Sequence, residues 1–323
     1  MPDRDDRRRL AEGYRAFVGE AAAESPVYSA LAAAVAEDGE VLDFLSGLPE
    51  GRRGPPLLFG ALAYLGGVPA DGAALRERIL GDHDRLRTTM LQRTTQTNEA
   101  ARCAALLPVL AAIGGPLALI EVGTSAGLCL YPDRYSYDYD GRLVGARQPV
   151  HLRCATSGPV PVPDALPHVG ARIGIDLNPL DVTDAGDLAW LRALVWPGPA
   201  QAERLQRLDA AAAVVAQDPP VLLTGDLVAR LPDALALVPD GATPVVLHTA
   251  VLPYVGAAGR AAFVEQVRSL PVRWVAQEGA GMVPGTGKPH PGGWGPYFVL
   301  SLDGRPLAHT GPHGGRIDWL TPE

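Results

Sequence analysis

At Leu117 the hydrophobic pattern of the chain changes period. Up to about residue 114 apolar residues recur at three- and four-residue spacing, as in Tyr14, Phe17 and Val18, the signature of amphipathic helices. The segment Leu117-Ala118-Leu119-Ile120-Glu121-Val122 is instead a short apolar run that ends in glycine, which suits a buried parallel strand entering a turn. Runs of the same kind recur at 171–177, 221–224, 244–248 and 272–277, with helical stretches between them at 188–195, 201–215 and 257–269. Such alternation implies βαβ units and a mainly parallel sheet. Residues 297–302, then Asp303-Gly304, then 306–309 spell an antiparallel hairpin with a type I′ turn.

The first 114 residues predict helices only. Ser25 reads as an N-cap with Pro26 at the first helical position, where its missing N–H costs nothing. Further helices are expected at 41–48, 56–65 and 74–80, and a long one at 84–113, stopped by Gly114, Gly115 and Pro116. The apolar Leu57-Leu58-Phe59 needs a partner surface, which suggests a helical cap. Residues 131–170 break the later alternation with Tyr135, Tyr137 and Tyr139 at period two, an Asp140-Gly141 turn and a proline-rich tail. They read as an insertion, and the tyrosines read as covering a sheet, with an aromatic wall around a cation as the second reading. The expected class is therefore α/β: a helical cap over 1–114, then a Rossmann-like, mainly parallel domain over 115–323 with a terminal hairpin.

Charge narrows the partners. The formal net charge is −8, Lys288 is the single lysine, and arginines alternate with carboxylates, a distribution unlike the one-sided basic face of a nucleic-acid binder. Three cysteines without C-x-x-C spacing argue against a disulfide framework or a cysteine-rich metal site. His290, His309 and His313 lack ligand spacing, so no metal is expected. No apolar run is long enough to span a bilayer, and the N-terminus has no signal-peptide pattern. The sequence reads as that of a cytoplasmic protein acting on a small molecule.

The strongest local motif is Glu121-Val122-Gly123-Thr124-Ser125-Ala126-Gly127, between the first strand and an expected helix. Small residues there let backbone N–H groups approach a ligand, and a helix N-terminus favours a carboxylate or phosphate. The loop is similar to the acidic-x-G-x-G-x-G loop of methyltransferases, with Ser125 in place of the middle glycine. Asp176 ends the second strand, where an acid accepts ribose hydroxyls, and Gly225-Asp226-Leu227 follows the third, similar to a motif whose acid faces adenine. The fourth strand delivers His248 and, just beyond, Tyr254. Each acid also has a plainer reading: Glu121 satisfying backbone donors, Asp176 capping the Asn178-Pro179 turn, Asp226 as an N-cap.

The phrases Gln96-Thr97-Asn98-Glu99, Glu121 to Gly127, Ile175-Asp176-Leu177-Asn178-Pro179-Leu180-Asp181 and Leu247-His248-Thr249-Ala250-Val251 resemble an actinobacterial family of unknown function. Its members look like class I methyltransferases with an added N-terminal helical region. The resemblance implies S-adenosylmethionine as cofactor, held by Glu121, Gly123, Thr124, Ser125, Gly127, Asp176, Asp226 and Leu227. His248, Glu99 or Tyr254 would orient or deprotonate the acceptor, and Asn98, Arg102, Tyr131 and Asp181 would line its site. His248 is equally readable as a buried structural histidine.

Three other readings stay open. The same cofactor permits cyclisation of its own aminobutyryl arm instead of methyl transfer. Gly123 to Gly127 also matches the G-x-S-x-G nucleophile elbow, with Asp226 and His248, His309 or His313 completing a triad around Ser125. The all-helical stretch upstream of Leu117 argues against that fold. A non-catalytic nucleoside-binding protein is the third.

Overall fold

The computed structural model describes residues 4–287 and 297–321. In chain order the helices α1 (Arg4–Ala21), α2 (Pro26–Glu37), α3 (Gly39–Ser46), α4 (Pro55–Gly66), α5 (Gly72–Gly81), α6 (His83–Gln92) and α7 (Cys103–Ile113) come first. Then follow β1 (Pro116–Val122), β2 (Ser136–Tyr139), β3 (Arg142–Val144), β4 (His151–Arg153), β5 (Ala155–Ser157) and β6 (His168–Asp176). The rest are α8 (Ala185–Ala193), α9 (Gln201–Gln217), β7 (Val221–Thr224), α10 (Leu227–Leu235), β8 (Thr243–Thr249), α11 (Ala257–Ser269), β9 (Arg273–Gly279), β10 (Phe298–Leu302), β11 (Arg305–Thr310) and β12 (Arg316–Trp319).

One compact unit comprises residues 4–97 with Thr183–Leu208. Its helices start where the sequence places caps: the Ser25 hydroxyl accepts from the Tyr28 N–H with Pro26 at N1, and Asp38 accepts from the N–H groups of Glu40 and Val41. Its core is aromatic, with Tyr28 stacked on Phe59 at 4.7 Å and Phe17 set edge-on to Trp196 at 5.2 Å. Residues 183–208 belong here because α8 packs on α4, with the Gly60 Cα facing Leu194 and Trp190.

The second unit holds Asn98–Val182 and 209–321, so α7 joins the sheet rather than the helical unit. Nine strands run in the order β5-β12-β11-β10-β9-β8-β1-β6-β7, and a small sheet orders β3-β2-β4. The strands β7, β6, β1, β8 and β9 are mutually parallel, whereas β10, β11 and β12 form an antiparallel meander continuing from β9. Burial explains why β1, β8 and β9 read as unbroken apolar runs, whereas β7 at the sheet edge is half-exposed to exposed. On one face Ile120, Val122, Ile173, Ile175, Val246 and Trp274 pack against Leu231, Phe263, Val264 and Val267 of α10 and α11.

The Asp303-Gly304 and Asp140-Gly141 turns both have two consecutive residues at positive φ, as type I′ requires. The insertion forms the small sheet, and its last strand, β5, pairs with β12 at the edge of the large one. Its tyrosines are buried with hydroxyls committed to backbone carbonyls: Tyr135 to Leu128, Tyr137 to Pro132 and Tyr139 to Ala104. They are structural, not an aromatic wall.

The long helix expected over 84–113 is broken. It stops at Gln92 and resumes at Cys103, after a single 3₁₀ turn at Ala100–Arg102. The Arg93 and Thr94 carbonyls accept from Arg52 Nη1 at 2.6 Å and Trp190 Nε1 at 3.0 Å instead of from helical N–H groups. Three threonines and an asparagine between 94 and 98 supply the low helix propensity that permits the break. The helix expected after Gly127 is likewise replaced, by one 3₁₀ turn at Leu128–Leu130.

Candidate functional site

The loop after β1 is turned inward. Thr124, Ser125, Ala126 and Gly127 are buried, and Gly123 alone is half-exposed. The Gly123 and Thr124 N–H groups donate to the Ile175 carbonyl (2.8 and 3.2 Å), Ser125 to Asp176 Oδ2 (2.8 Å), Gly127 to the Thr124 carbonyl (2.8 Å) and Leu128 to Asn98 Oδ1 (2.9 Å). The expectation that these donors face a ligand is therefore corrected: they close the loop on its own neighbours. Its small residues serve the same closure. A Cβ on Gly174 would lie 2.5 Å from Thr124 Cγ2, so that glycine lets the loop lie on β6. Ser125 holds a positive φ of 52°, a strained conformation for a residue with a Cβ.

Asp176 sits at the end of β6 and anchors that loop. Its second oxygen accepts from the Asn178 N–H at 2.9 Å, and the Leu180 N–H returns to the Ser125 carbonyl at 3.1 Å. Asp181 follows, exposed. Asp226 takes its plainer role: exposed, it caps α10 through the N–H groups of Val228 (2.9 Å) and Ala229 (3.2 Å), with Leu227 as the first helical residue.

The loop after β8 is built in the same way from the other side. Ala250 holds a φ of 56° and its N–H donates to the Gln277 carbonyl. Glu278 on β9, 1% exposed, accepts at Oε1 from Val251 N (3.0 Å), Leu252 N (3.3 Å) and His248 Nδ1 (2.7 Å). Trp274 Nε1 lies 3.0 Å from His248 Nε2. An indole N–H can only donate, so the hydrogen-bond network assigns Nε2 as acceptor and puts the proton on Nδ1, directed at Glu278. Both nitrogens of the fully buried ring are thus used within the protein, and the geometry gives His248 a supporting place rather than an open basic nitrogen. Glu278, which the sequence reading missed, is the carboxylate behind it; its Oε2 is buried and has no hydrogen-bond partner among the described residues. Only its position at the end of an apolar strand pointed to it.

Between the two loops lies a buried polar cluster. The Glu121 carboxyl, 1% exposed, accepts from the Thr124 hydroxyl at 2.9 Å. Burial pushes it well above the ordinary carboxylate range, and Cys129 adds to the rise; Thr124 and Arg102 pull the other way, and Asp176 is near enough to raise it further. Arg102, also buried, donates from Nε to the Pro312 carbonyl at 2.9 Å and from Nη1 to the carbonyl and hydroxyl oxygens of Thr249 at 3.3 Å each. The Cys103 thiol donates to the Cys129 carbonyl at 3.6 Å and the Cys129 thiol to the Glu99 carbonyl at 3.5 Å, and burial pushes the Cys103 thiol up. Glu99 caps the 3₁₀ turn through the Ala101 N–H at 3.1 Å. Tyr254 is 69% exposed, and Arg102 and Glu278 lie within electrostatic reach of its phenol.

Glu121, Asp176, Glu99, Arg102 and Tyr254 therefore come together at the carboxyl ends of β1, β6 and β8, with Gly123, Thr124 and Ser125. Tyr131 does not offer its hydroxyl, which donates to the Asp218 carbonyl while Arg172 lies over the ring at 4.5 Å. His309 is on β11, four strands from β1; at about 4.8 Å per strand that is about 19 Å from Ser125, out of reach of a proton transfer. His290 falls outside the described residues. His313 lies beside the cluster, next to Pro312, which Arg102 holds. Among the described residues no group of three His, Cys, Asp or Glu side chains is placed to hold a metal ion, and no helix is long and apolar enough to cross a membrane. A groove of about 690 Å³ in the helical unit is lined by Arg7, Asp38, Glu40, Asp43 and Arg76. These charges pair among themselves, Arg7 with Asp43 and Arg76 with Asp38 and Glu40, so the groove is a solvated ion-pair surface.

No curated protein and no solved structure matches the chain. A family profile does, over residues 11–319, nearly the whole sequence and both compact units. The chain belongs to the uncharacterized family conserved in bacteria, DUF2332.

Proposed function

We propose that this chain is an S-adenosylmethionine-dependent transferase acting on a small molecule, its sheet a Rossmann-like one. The observation that carries the reading is the juxtaposition of Glu121 and Asp176 at the carboxyl ends of two adjacent central strands. Counted along the chain, the parallel strands lie in the order third, second, first, fourth, fifth, so the winding reverses between β1 and β8. Open α/β sheets bind ligands in the crevice at such a reversal. The likeness of the Glu121–Gly127 loop and of Asp176 to class I methyltransferases supports the same reading.

The residues fit the cofactor in part. A sulfonium is cationic, and a buried glutamate opposed by few donors is a partner for a cation; Asp176 is half-buried and rigidly anchored, the preorganisation a diol-recognising acid needs. The committed N–H groups of the loop do not fit a ligand carboxylate in this conformation. When bound, the cofactor supplies an electrophilic methyl carbon. The chain's own share is positioning and exclusion of water, with the exposed Tyr254 phenol and Glu99 as the groups that orient the acceptor. His248 holds Glu278 and the loop after β8 in place.

A hydrolytic reading has one observation in its favour, the strained backbone of Ser125. The engagement of His248 by Trp274 and Glu278 removes its first triad partner.

Calorimetric titration with S-adenosylmethionine, S-adenosylhomocysteine and NAD tests the proposal. Binding of the first two and not the third is expected, and Asp176→Ala should weaken adenosylmethionine binding by about 1–3 kcal/mol through lost charged hydrogen bonds. Unchanged affinity in a folded variant removes Asp176 from the site, and no binding of either adenosyl compound removes the proposal. Mass spectrometry of turnover mixtures separates methyl transfer, which yields S-adenosylhomocysteine, from cyclisation, which yields methylthioadenosine.

A further inference from the structure

Three observations at the end of β8 converge on one segment. A Cβ built on Gly123 would lie 2.2 Å from Val251 Cγ2 and 2.7 Å from Val251 Cβ, so the valine side chain covers the one half-exposed residue of the loop after β1. The residue before it, Ala250, is held at φ 56°, a conformation that costs a residue with a Cβ free energy and persists only where the surroundings impose it. Two acceptors on β9 impose it: the Gln277 carbonyl, to which the Ala250 N–H donates at 3.0 Å, and the buried Glu278 Oε1, which accepts from both Val251 N and Leu252 N and is itself oriented by His248 and, through it, Trp274.

We propose that Ala250 and Val251 form a gate over the strand-end site, with Val251 as its bolt and Glu278 as its latch, so that a ligand reaches Gly123 only when Val251 swings away. The assignment of what enters rests on the adenosylmethionine reading; the gate itself does not. Glu278 is a positioning residue: it acts on the site through the two amides it holds. The strain at Ala250 favours release, since losing the two bonds to Glu278, with the Ala250 bond to the Gln277 carbonyl, lets that residue return to an ordinary conformation. Beyond Val251 the chain is anchored: Leu252 is fully buried in the core, and the Leu252 and Val255 carbonyls accept from Arg260 Nη1 at 3.3 and 2.9 Å. The loop after β1 lacks the freedom of the gate, because its amides are distributed over Ile175, Asp176, Thr124 and Asn98.

Hydrogen–deuterium exchange read by mass spectrometry tests the gate without any ligand. In Glu278→Ala, exchange in peptides covering Val251 and Leu252 should accelerate about tenfold or more over the unaltered chain, with peptides from β1 and β6 unchanged; Glu278→Gln, which keeps an acceptor oxygen, should fall between. Equal exchange in all three proteins overturns the latch. So does acceleration spread equally over β1 and β6, which would make Glu278 a general support of the fold. Val251→Ala leaves the latch intact and removes the bolt: its adenosylmethionine affinity should rise about three- to tenfold, and an unaltered affinity in a chain that binds overturns the bolt. If neither the unaltered chain nor Val251→Ala binds adenosylmethionine while local exchange still responds to Glu278, the gate stands and the cofactor reading falls.

Discussion

The two halves of the sheet on either side of the β1–β8 boundary solve one problem with different hardware. In the β6 half, a strained Ser125 is fixed by Asp176 from the neighbouring strand end, which also holds the Asn178 N–H, and four further amides of the loop are spread over three acceptors, on Ile175, Thr124 and Asn98. In the β9 half, a strained Ala250 is fixed by Glu278, with three donors crowded on one oxygen and an imidazole and an indole behind it. Distributed bonding makes the first loop hard to move, since several hydrogen bonds must break together. In the second loop the Val251 and Leu252 amides share one atom, while Gln277 and Arg260 hold the residues on either side, so a single substitution can free the turn at Val251. The difference leaves the side that carries Glu121 and Asp176 with several independent ties and the turn at Val251 with amides that depend on one carboxylate oxygen.

The contact between the halves is where the comparison breaks most visibly. Gly123→Ala places a methyl group inside Val251 at a position with φ +71°, and the combination of overpacking and backbone strain should cost about 3 kcal/mol or more in denaturant unfolding. Adding Val251→Ala removes the 2.2 Å approach to Cγ2 but leaves the 2.7 Å approach to Cβ and the backbone strain, so only part of the loss should return. A double-mutant coupling above about 1 kcal/mol is expected. Additive losses would mean that the halves do not meet at these two residues.

Much of this arrangement was legible in the sequence, and the residues show why the rest was not. Strand and helix periods are local, so β7 at 221–224 and α11 at 257–269 fall where the pattern puts them, and Ser25, Pro26 and the two Asp-Gly turns do what their side chains favour. The break at 93–98 depends on Arg52 and Trp190 arriving from elsewhere to take up carbonyls, which no window around the break contains. The same holds for the site. Asp176 and Glu121 were visible as acids at strand ends, whereas the inward turn of the Gly123–Gly127 loop follows from acceptors on Asn98 and Ile175. Glu278 was hidden because one acid in a strand of ordinary composition becomes informative only when His248 is seen against it. β12 and β5 were missed because each is short and gains its partner from a distant segment.

The indole behind the latch gives an intermediate effect. Trp274→Phe keeps most of the packing against Phe263 but removes the N–H that meets His248 Nε2, leaving a buried acceptor unsatisfied. Loss of about 1–3 kcal/mol of stability is expected, together with faster exchange at Val251 and Leu252, because a ring free to turn no longer directs its Nδ1 proton at Glu278. Stability within about 0.5 kcal/mol of the unaltered chain would show that Glu278 alone orients the imidazole, without a relay through the indole.

The smallest effect is a slope rather than a loss, and it belongs to the rigid half. Burial raises the Glu121 carboxyl above its value in the unfolded chain, so over the interval between the two values the folded protein holds a proton that the unfolded chain has released. Stability from this group is therefore full below the ordinary carboxylate range and is lost as pH rises through the folded value. Glu121→Gln retains a neutral side chain that can accept from Thr124 and deletes the titration. Urea midpoints measured from about pH 4 to pH 8 should fall less steeply in the variant than in the unaltered chain, with the two closest at the acid end. Parallel slopes would mean that Glu121 is ionised in the folded state, its charge met by Arg102, and the rigid half would then already carry the anion that a cationic ligand would otherwise induce.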